Sequence, residues 1–188
     1  MSMEIGVDVI GGEEYDRQQR LYGPLAEAVR RLNVASIHTE VDEQDVRDAQ
    51  AAIEAAAEML ERKLRAATSG VRVAETGRPL VWSNPAVGLR NAIAPPMVIQ
   101  HDDDGRCWSE FILGPAYEGP PGWVHGGICA LLLDHLLGEV ASEGLTLPKF
   151  TGTITLRYLR GTPLGPLRAE AFVERSEGVK TFARGYLI

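Results

Sequence analysis

Residues 123–138 read WVHGGICALLLDHLLG, and this stretch decides the fold. His125, Gly126 and Gly127 open an apolar run, Ile128 to Leu133, which Asp134 and His135 interrupt before Leu136 and Leu137 resume it. The pattern predicts a helix over roughly 126–142 that is buried nearly all round. An aspartate inside such a helix is out of place unless it is paired, protonated or working. The glycines matter for a second reason. The first turn of a helix leaves backbone N–H groups without partners, and residues lacking a Cβ let another molecule come close to them. Anion-seeking amides at one end and an acid further along point to acyl chemistry.

Outward from this helix the text is strand-like on both sides. Thr151 to Arg160, Pro166 to Arg175 and Val179 to Ile188 follow it, with clear alternation in Thr153-Ile154-Thr155-Leu156-Arg157-Tyr158. Before it, Met97 to Gln100 and Cys107 to Leu113 flank Asp102-Asp103-Asp104-Gly105, where the Asp-Gly pair signals a hairpin. The three aspartates read as a solvated turn, since no ordered ligand spacing for a metal follows. Residues 75–96, rich in Gly and Pro, read as a loop joining this region to a helical first third. There, residues 13–32 have loosely helical spacing with a break expected at Gly23-Pro24. Asp42 caps a second helix with Val46, Ala49, Ile53, Ala56, Leu60 and Leu64 on its apolar face, and Gly70 stands as its stop. That face is expected to pack against the rest of the protein. The fold class is α+β, a curved antiparallel sheet wrapped around one long central helix. Residues 1–83 form a helical extension and connecting loop, and 84–188 the main domain.

Composition narrows the function. A net charge of −7 argues against a nucleic-acid partner, which calls for a basic face. Hydrophobic content of 45% supplies a core, and no apolar run approaches the roughly 20 residues of a membrane span. Cys107 and Cys129 read as reduced core thiols, and MSMEIGVDVIGGEEYDRQQR lacks the pattern of a secretory signal. The expectation is a soluble, cytoplasmic protein with no cofactor and no metal.

With these residues in view, the chain resembles the hotdog-fold acyl-CoA thioesterases of the PaaI-like and 4-hydroxybenzoyl-CoA thioesterase superfamily, in the subgroup with a helical N-terminal extension. The resemblance covers roughly 84–188. It rests on Asn84-Pro85, Ala94-Pro95-Pro96, Glu118-Gly119-Pro120-Pro121-Gly122, His125-Gly126-Gly127 with Asp134, and Thr151 through Tyr158-Leu159-Arg160 to Pro163-Leu164. Three places depart from the family pattern. Gly161 stands where proline is commoner, His135 follows the acid where a smaller or acidic residue is commoner, and the last strand looks truncated at Ile188.

The resemblance implies hydrolysis of a fatty or aryl acyl-CoA to free acid and CoA by a homodimer, or a tetramer, with sites along the shared interface. The Gly126 amide, or that of Gly127, would bind the thioester oxygen at the positive end of the helix. Asp134 would be general base or carboxylate nucleophile, and Thr151 would orient water or the acid. Eight residues of helix rise about 12 Å, so one site must combine Gly126 of one protomer with Asp134 of its partner. His125 reads as fixing the loop, and Trp123 as packing or as the wall of an acyl tunnel. His135 reads as a satisfied core or interface residue, or as tuning Asp134, while His38 and His101 read as ordinary surface or loop histidines. Arg157, Arg160, Arg168, Lys180 and Arg184 are candidates to meet the phosphates of CoA. The alternatives are a structural Asp134 capped by Thr151 or an arginine, a non-catalytic acyl-CoA sensor, and a hotdog enoyl-CoA hydratase or dehydratase.

Overall fold

The computed structural model describes residues 7–64, 70–95, 97–147 and 149–188. Pro96, and the first six residues of the N-terminal stretch read for a signal, lie outside the described residues. Strand β1 (Val7–Ile10) leads into α1 (Gly12–His38) and α2 (Glu43–Glu61), and the chain returns as β2 (Gly70–Val73), parallel to β1. Then come β3 (Gln100–His101), β4 (Cys107–Leu113), the central helix α3 (Gly126–Ala141), β5 (Gly165–Glu177) and β6 (Lys180–Leu187). These last four strands form one antiparallel sheet in the order β3-β4-β5-β6.

Alternation builds the core. Cys107, Ser109, Phe111 and Leu113 point inward from β4, and Leu167, Ala169 and Ala171 do so from β5. Ala169 and Ala171 pair across with Ser109 and Cys107, so a band of small side chains crosses the inner face of the sheet. Leu132, Leu136 and Val140 of α3 join the same buried cluster. Burial of each such leucine contributes about 1.5–3 kcal/mol. The hairpin at 102–105 forms as expected: Asp102 N–H donates to Arg106 O, and Gly105 takes φ +80. Asp102 also accepts from Trp108 Nε1 at 2.9 Å.

Several expectations need correction. Helix α1 runs unbroken through Gly23-Pro24, because a proline removes only one intrahelical bond and the flanking turns hold. Asp42 does cap α2, accepting from Asp45 N at 3.0 Å, but the helix ends at Glu61. Gly70 therefore stops nothing; it opens β2, a strand whose partner β1 lies some sixty residues upstream. Among the described residues, the apolar face of α2 packs against nothing that buries it, and every residue from 43 to 61 is exposed. Of Met97 to Gln100, only Gln100 joins a ladder, with Met97 N–H turned back onto Pro95 O.

The stretch Thr151 to Arg160 is not a hydrogen-bonded strand. It runs outside the sheet, with no backbone ladder to a neighbour among the described residues. Finally, α3 is not buried all round. Cys129, Leu132, Leu136, Glu139 and Val140 are buried, while Leu133, Asp134 and Leu137 are half-buried.

The Arg90 guanidinium lies 3.2 Å from the ring centre of Tyr22 and 4.7 Å from that of Trp82. Arg30 Nε donates to Ala94 O at 3.2 Å. These contacts cross the boundary expected at residue 83.

Candidate active site

The start of α3 is built from its own cap. His125 has extended backbone, and its Nδ1 accepts the Gly127 N–H at 2.9 Å. This is the capping role usually taken by Ser or Asp. Gly127 is small for that reason, since a Cβ there would lie 3.1 Å from Nδ1. The loop before it is equally close: a Cβ on Gly119 would stand 2.9 Å from the Cα of His125. With the Gly127 amide engaged, the N–H of Gly126 is the one at this helix end with no acceptor among the described residues. His125 thus caps the start of α3 through its ring nitrogen.

Two turns further on, Asp134 Oδ1 accepts a hydrogen bond from Thr151 Oγ1 at 2.9 Å. The structure therefore joins the acid and hydroxyl that the sequence singled out. Asp134 is half-buried rather than sealed. At the other end of the same extended segment, Tyr158 Oη donates to Gly126 O at 2.9 Å. Residues 151–158 are thus tied across α3 by one side chain at each end, at the two helix positions that carry the proposed chemistry. Lys149 Nζ adds a third tie, to Thr181 Oγ1 on β6 at 2.6 Å.

A groove of about 900 Å³ lies between this segment, α3 and β6. Cys129, Leu133 and Leu137 form its floor, Thr155 to Pro163 one wall, and Ala183 to Ile188 the other. Neither Gly126 nor Asp134 lines it. Trp123 is 45% exposed and rests on Gly161, where a Cβ would come within 2.6 Å of the ring. The residue that departs from the family pattern is therefore the seat of the indole. Val124 N–H to Thr162 O and Leu164 N–H to Gly122 O fasten the same corner.

The five candidate cations separate clearly. Arg157 and Arg160 line the groove and have no ion pair among the described residues. Arg184 also lines it but pairs with Glu174 at 2.6 Å. Arg168 is committed to Glu110 at 2.9 Å and stacks on Trp108, and Lys180 stands at the exposed β5–β6 hairpin.

The acid most deeply buried in α3 is Glu139, at 2% exposure, not Asp134. Arg78 and His101 both pair with it, His101 Nε2 at 3.0 Å. His101 is therefore not an ordinary loop histidine. Sequence reasoning missed this cluster, although Glu139 is a second carboxylate in the same apolar helix, five residues past the first. Burial pushes the neighbouring Cys107 thiol up to about 12, with Glu139 adding to the effect. His135 is also not the satisfied residue expected, because its Nε2 is buried without a partner. Burial lowers its pKa, against the opposing pull of Glu139 and Asp134, so the ring is neutral at neutral pH. No group of three metal-ligating side chains occurs among the described residues.

Comparison with known proteins places this geometry. No protein-family model matches the chain. It is similar to a thioesterase superfamily protein of known crystal structure, at 30% identity and a TM-score of 0.79, covering 88% of this chain and 86% of that one. It is 39% identical over 70 residues to acyl-coenzyme A thioesterase THEM4 of Xenopus laevis. That match takes in 37% of this chain and 31% of the relative, so it spans about a third of the relative's length. A phenylacetic acid degradation-related protein of Ralstonia eutropha JMP134 is 26% identical over 49% of this chain and 73% of its own, with a TM-score of 0.40. No described helix is long and apolar enough to cross a membrane.

Proposed function

Because the chain belongs to the thioesterase superfamily, with the hotdog fold, we propose that it hydrolyses the thioester of a fatty or aryl acyl-CoA to free acid and CoA. The observation that carries this reading is the Thr151–Asp134 hydrogen bond, 2.9 Å long, on the same helix as an amide left without an acceptor at Gly126. Carbonyl substitution needs a donor aimed where negative charge develops and a group that delivers the nucleophile. The Gly126 N–H, at the positive end of α3, is the donor. Asp134 accepts the proton of an attacking water, or attacks the carbonyl itself to form a mixed anhydride that water then hydrolyses to free acid. Thr151 holds the carboxylate in one orientation in either case. The CoA thiolate leaves and takes up a proton, and Arg157 and Arg160 meet the phosphates of the carrier.

Distance sets the assembly. Gly126 and Asp134 stand about 12 Å apart along one helix, too far to grip one carbonyl carbon. Each site therefore combines the amide of one protomer with the acid of its partner, and the enzyme works as a dimer. Asp134→Asn keeps the shape and removes the base. It should abolish thiol release across a panel of acyl-CoAs while binding persists; unchanged turnover would remove Asp134 from the mechanism.

A further inference from the structure

Two adjacent glycines begin α3, and they have no side chains to fix the direction of the amide at Gly126. Glycine has the widest backbone freedom, so a donor placed there must be held by its neighbours. One side is held from within the helix. The His125 carbonyl, in the same peptide group as the Gly126 N–H, accepts from Ile128 N–H at 2.9 Å and from Cys129 N–H at 3.3 Å. The other side is the peptide group between Gly126 and Gly127. Its N–H donates to His125 Nδ1 and its carbonyl accepts from Tyr158 Oη, each at 2.9 Å. A planar group bonded at both ends cannot turn without breaking one of those bonds.

We propose that Tyr158 is a positioning residue for the reaction: its hydroxyl holds the Gly126–Gly127 peptide so that the Gly126 N–H stays aimed at the thioester oxygen. The inference rests on the hydrolase reading and adds to it a residue that does not itself touch the reacting atoms. The ring bears on the same spot as the hydroxyl. A Cβ on Gly126 would lie 3.5 Å from both Cε1 and Oη of Tyr158, so the tyrosine stands directly beside the glycine it holds.

Burial does not explain this hydrogen bond. Tyr158 is 60% exposed, so water could satisfy its hydroxyl without the carbonyl. Nor does a backbone ladder place it, since residues 151–160 have none among the described residues. The segment is set by its side-chain bonds, with Thr151 on the acid and Tyr158 beside the amide. A working donor must stay within roughly 0.5 Å and 10–20° of its productive geometry. Without the hydroxyl, Gly126 regains rotation about its own backbone bonds and the amide strays from that geometry. No group that meets the carrier is altered, so the loss falls on the transition state and therefore on kcat.

Tyr158→Phe in the full chain keeps the ring and removes only the hydroxyl. In a thiol-release assay kcat should fall about three- to tenfold, the worth of one neutral hydrogen bond, with KM staying within about twofold of the wild type. Amide exchange read by NMR on glycine-labelled protein should show the Gly127 N–H exchanging at least about fivefold faster, while Gly138, deeper in the same helix, keeps its wild-type rate. An unchanged kcat in the variant overturns the proposal, and a raised KM with kcat unchanged does so too, by making Tyr158 a substrate contact. Unchanged exchange at Gly127, or faster exchange at both glycines, overturns it whatever the turnover. A wild type that releases no thiol from any acyl-CoA would instead refute the hydrolase reading. The exchange at Gly127 would then still decide whether Tyr158 holds the peptide.

Discussion

The indole of Trp123 sits on the backbone of Gly161, so closely that a Cβ at 161 would lie 2.6 Å from the ring carbon Cε3. One wall of the groove is therefore positioned by the absence of a single carbon atom. Gly161→Ala should push the indole off its seat, shift the tryptophan emission and cost about 1–2 kcal/mol in urea unfolding. Trp123→Ala in the same chain should relieve most of that cost. Additive losses in the double variant would mean the two residues are not coupled.

Glu139 is held in the core by Arg78 and His101, and removing a partner strands its charge. Arg78→Ala should destabilise the protein by about 2–3 kcal/mol, somewhat below the range for a fully buried pair because Arg78 is partly solvated. Adding Glu139→Gln should recover part of the loss. Equal stability of Arg78→Ala and the wild type by urea titration would contradict this.

His135 makes stability depend on pH in a defined direction. Its folded pKa lies below the ordinary 6.5, so as pH falls through that value the unfolded chain takes up a proton that the folded chain does not. Stability should hold above about pH 6.5 and decline below it, until the lower folded pKa is reached. His135→Leu removes the titrating ring and its orphaned Nε2, and should flatten that decline in denaturant titrations at pH 7.5 and 5.5. An unaltered acid slope would assign the effect elsewhere.

The Cys107 thiol, raised to about 12 by burial, should resist alkylation at pH 8 in the folded protein. It should react as soon as urea unfolds the chain. Mass spectrometry after brief iodoacetamide treatment reads the difference, and rapid labelling of native Cys107 would contradict the burial.

Local chemistry made part of this protein legible in its sequence. The helix beginning at Gly126, the Asp42 cap and the hairpin at Gly105 depend on residues within a few positions of one another, and all three formed where expected. The Thr151–Asp134 contact spans only the connection after α3, and it came from the family resemblance rather than from spacing. What stayed hidden depends on distant partners. Four residues of β1 carry no signal until β2 pairs with them, and His101 looks ordinary until Arg78 and Glu139 are brought beside it. Thr151 to Arg160 alternates like a strand but finds no ladder among the described residues, because alternation reports two faces and not the presence of a neighbour.

The central claim is that each site takes its amide from one protomer and its acid from the other. Gly126→Pro removes the amide hydrogen at the first helical position, where proline is well tolerated. Asp134→Asn removes the acid. Each variant alone should be inactive in a thiol-release assay. Unfolded together in equal amounts and refolded, they should regain roughly a quarter of wild-type turnover, since about half the dimers are mixed and each mixed dimer holds one intact site of two. If mixed dimers form and no activity returns, the two groups act within one chain and the shared-site account is wrong.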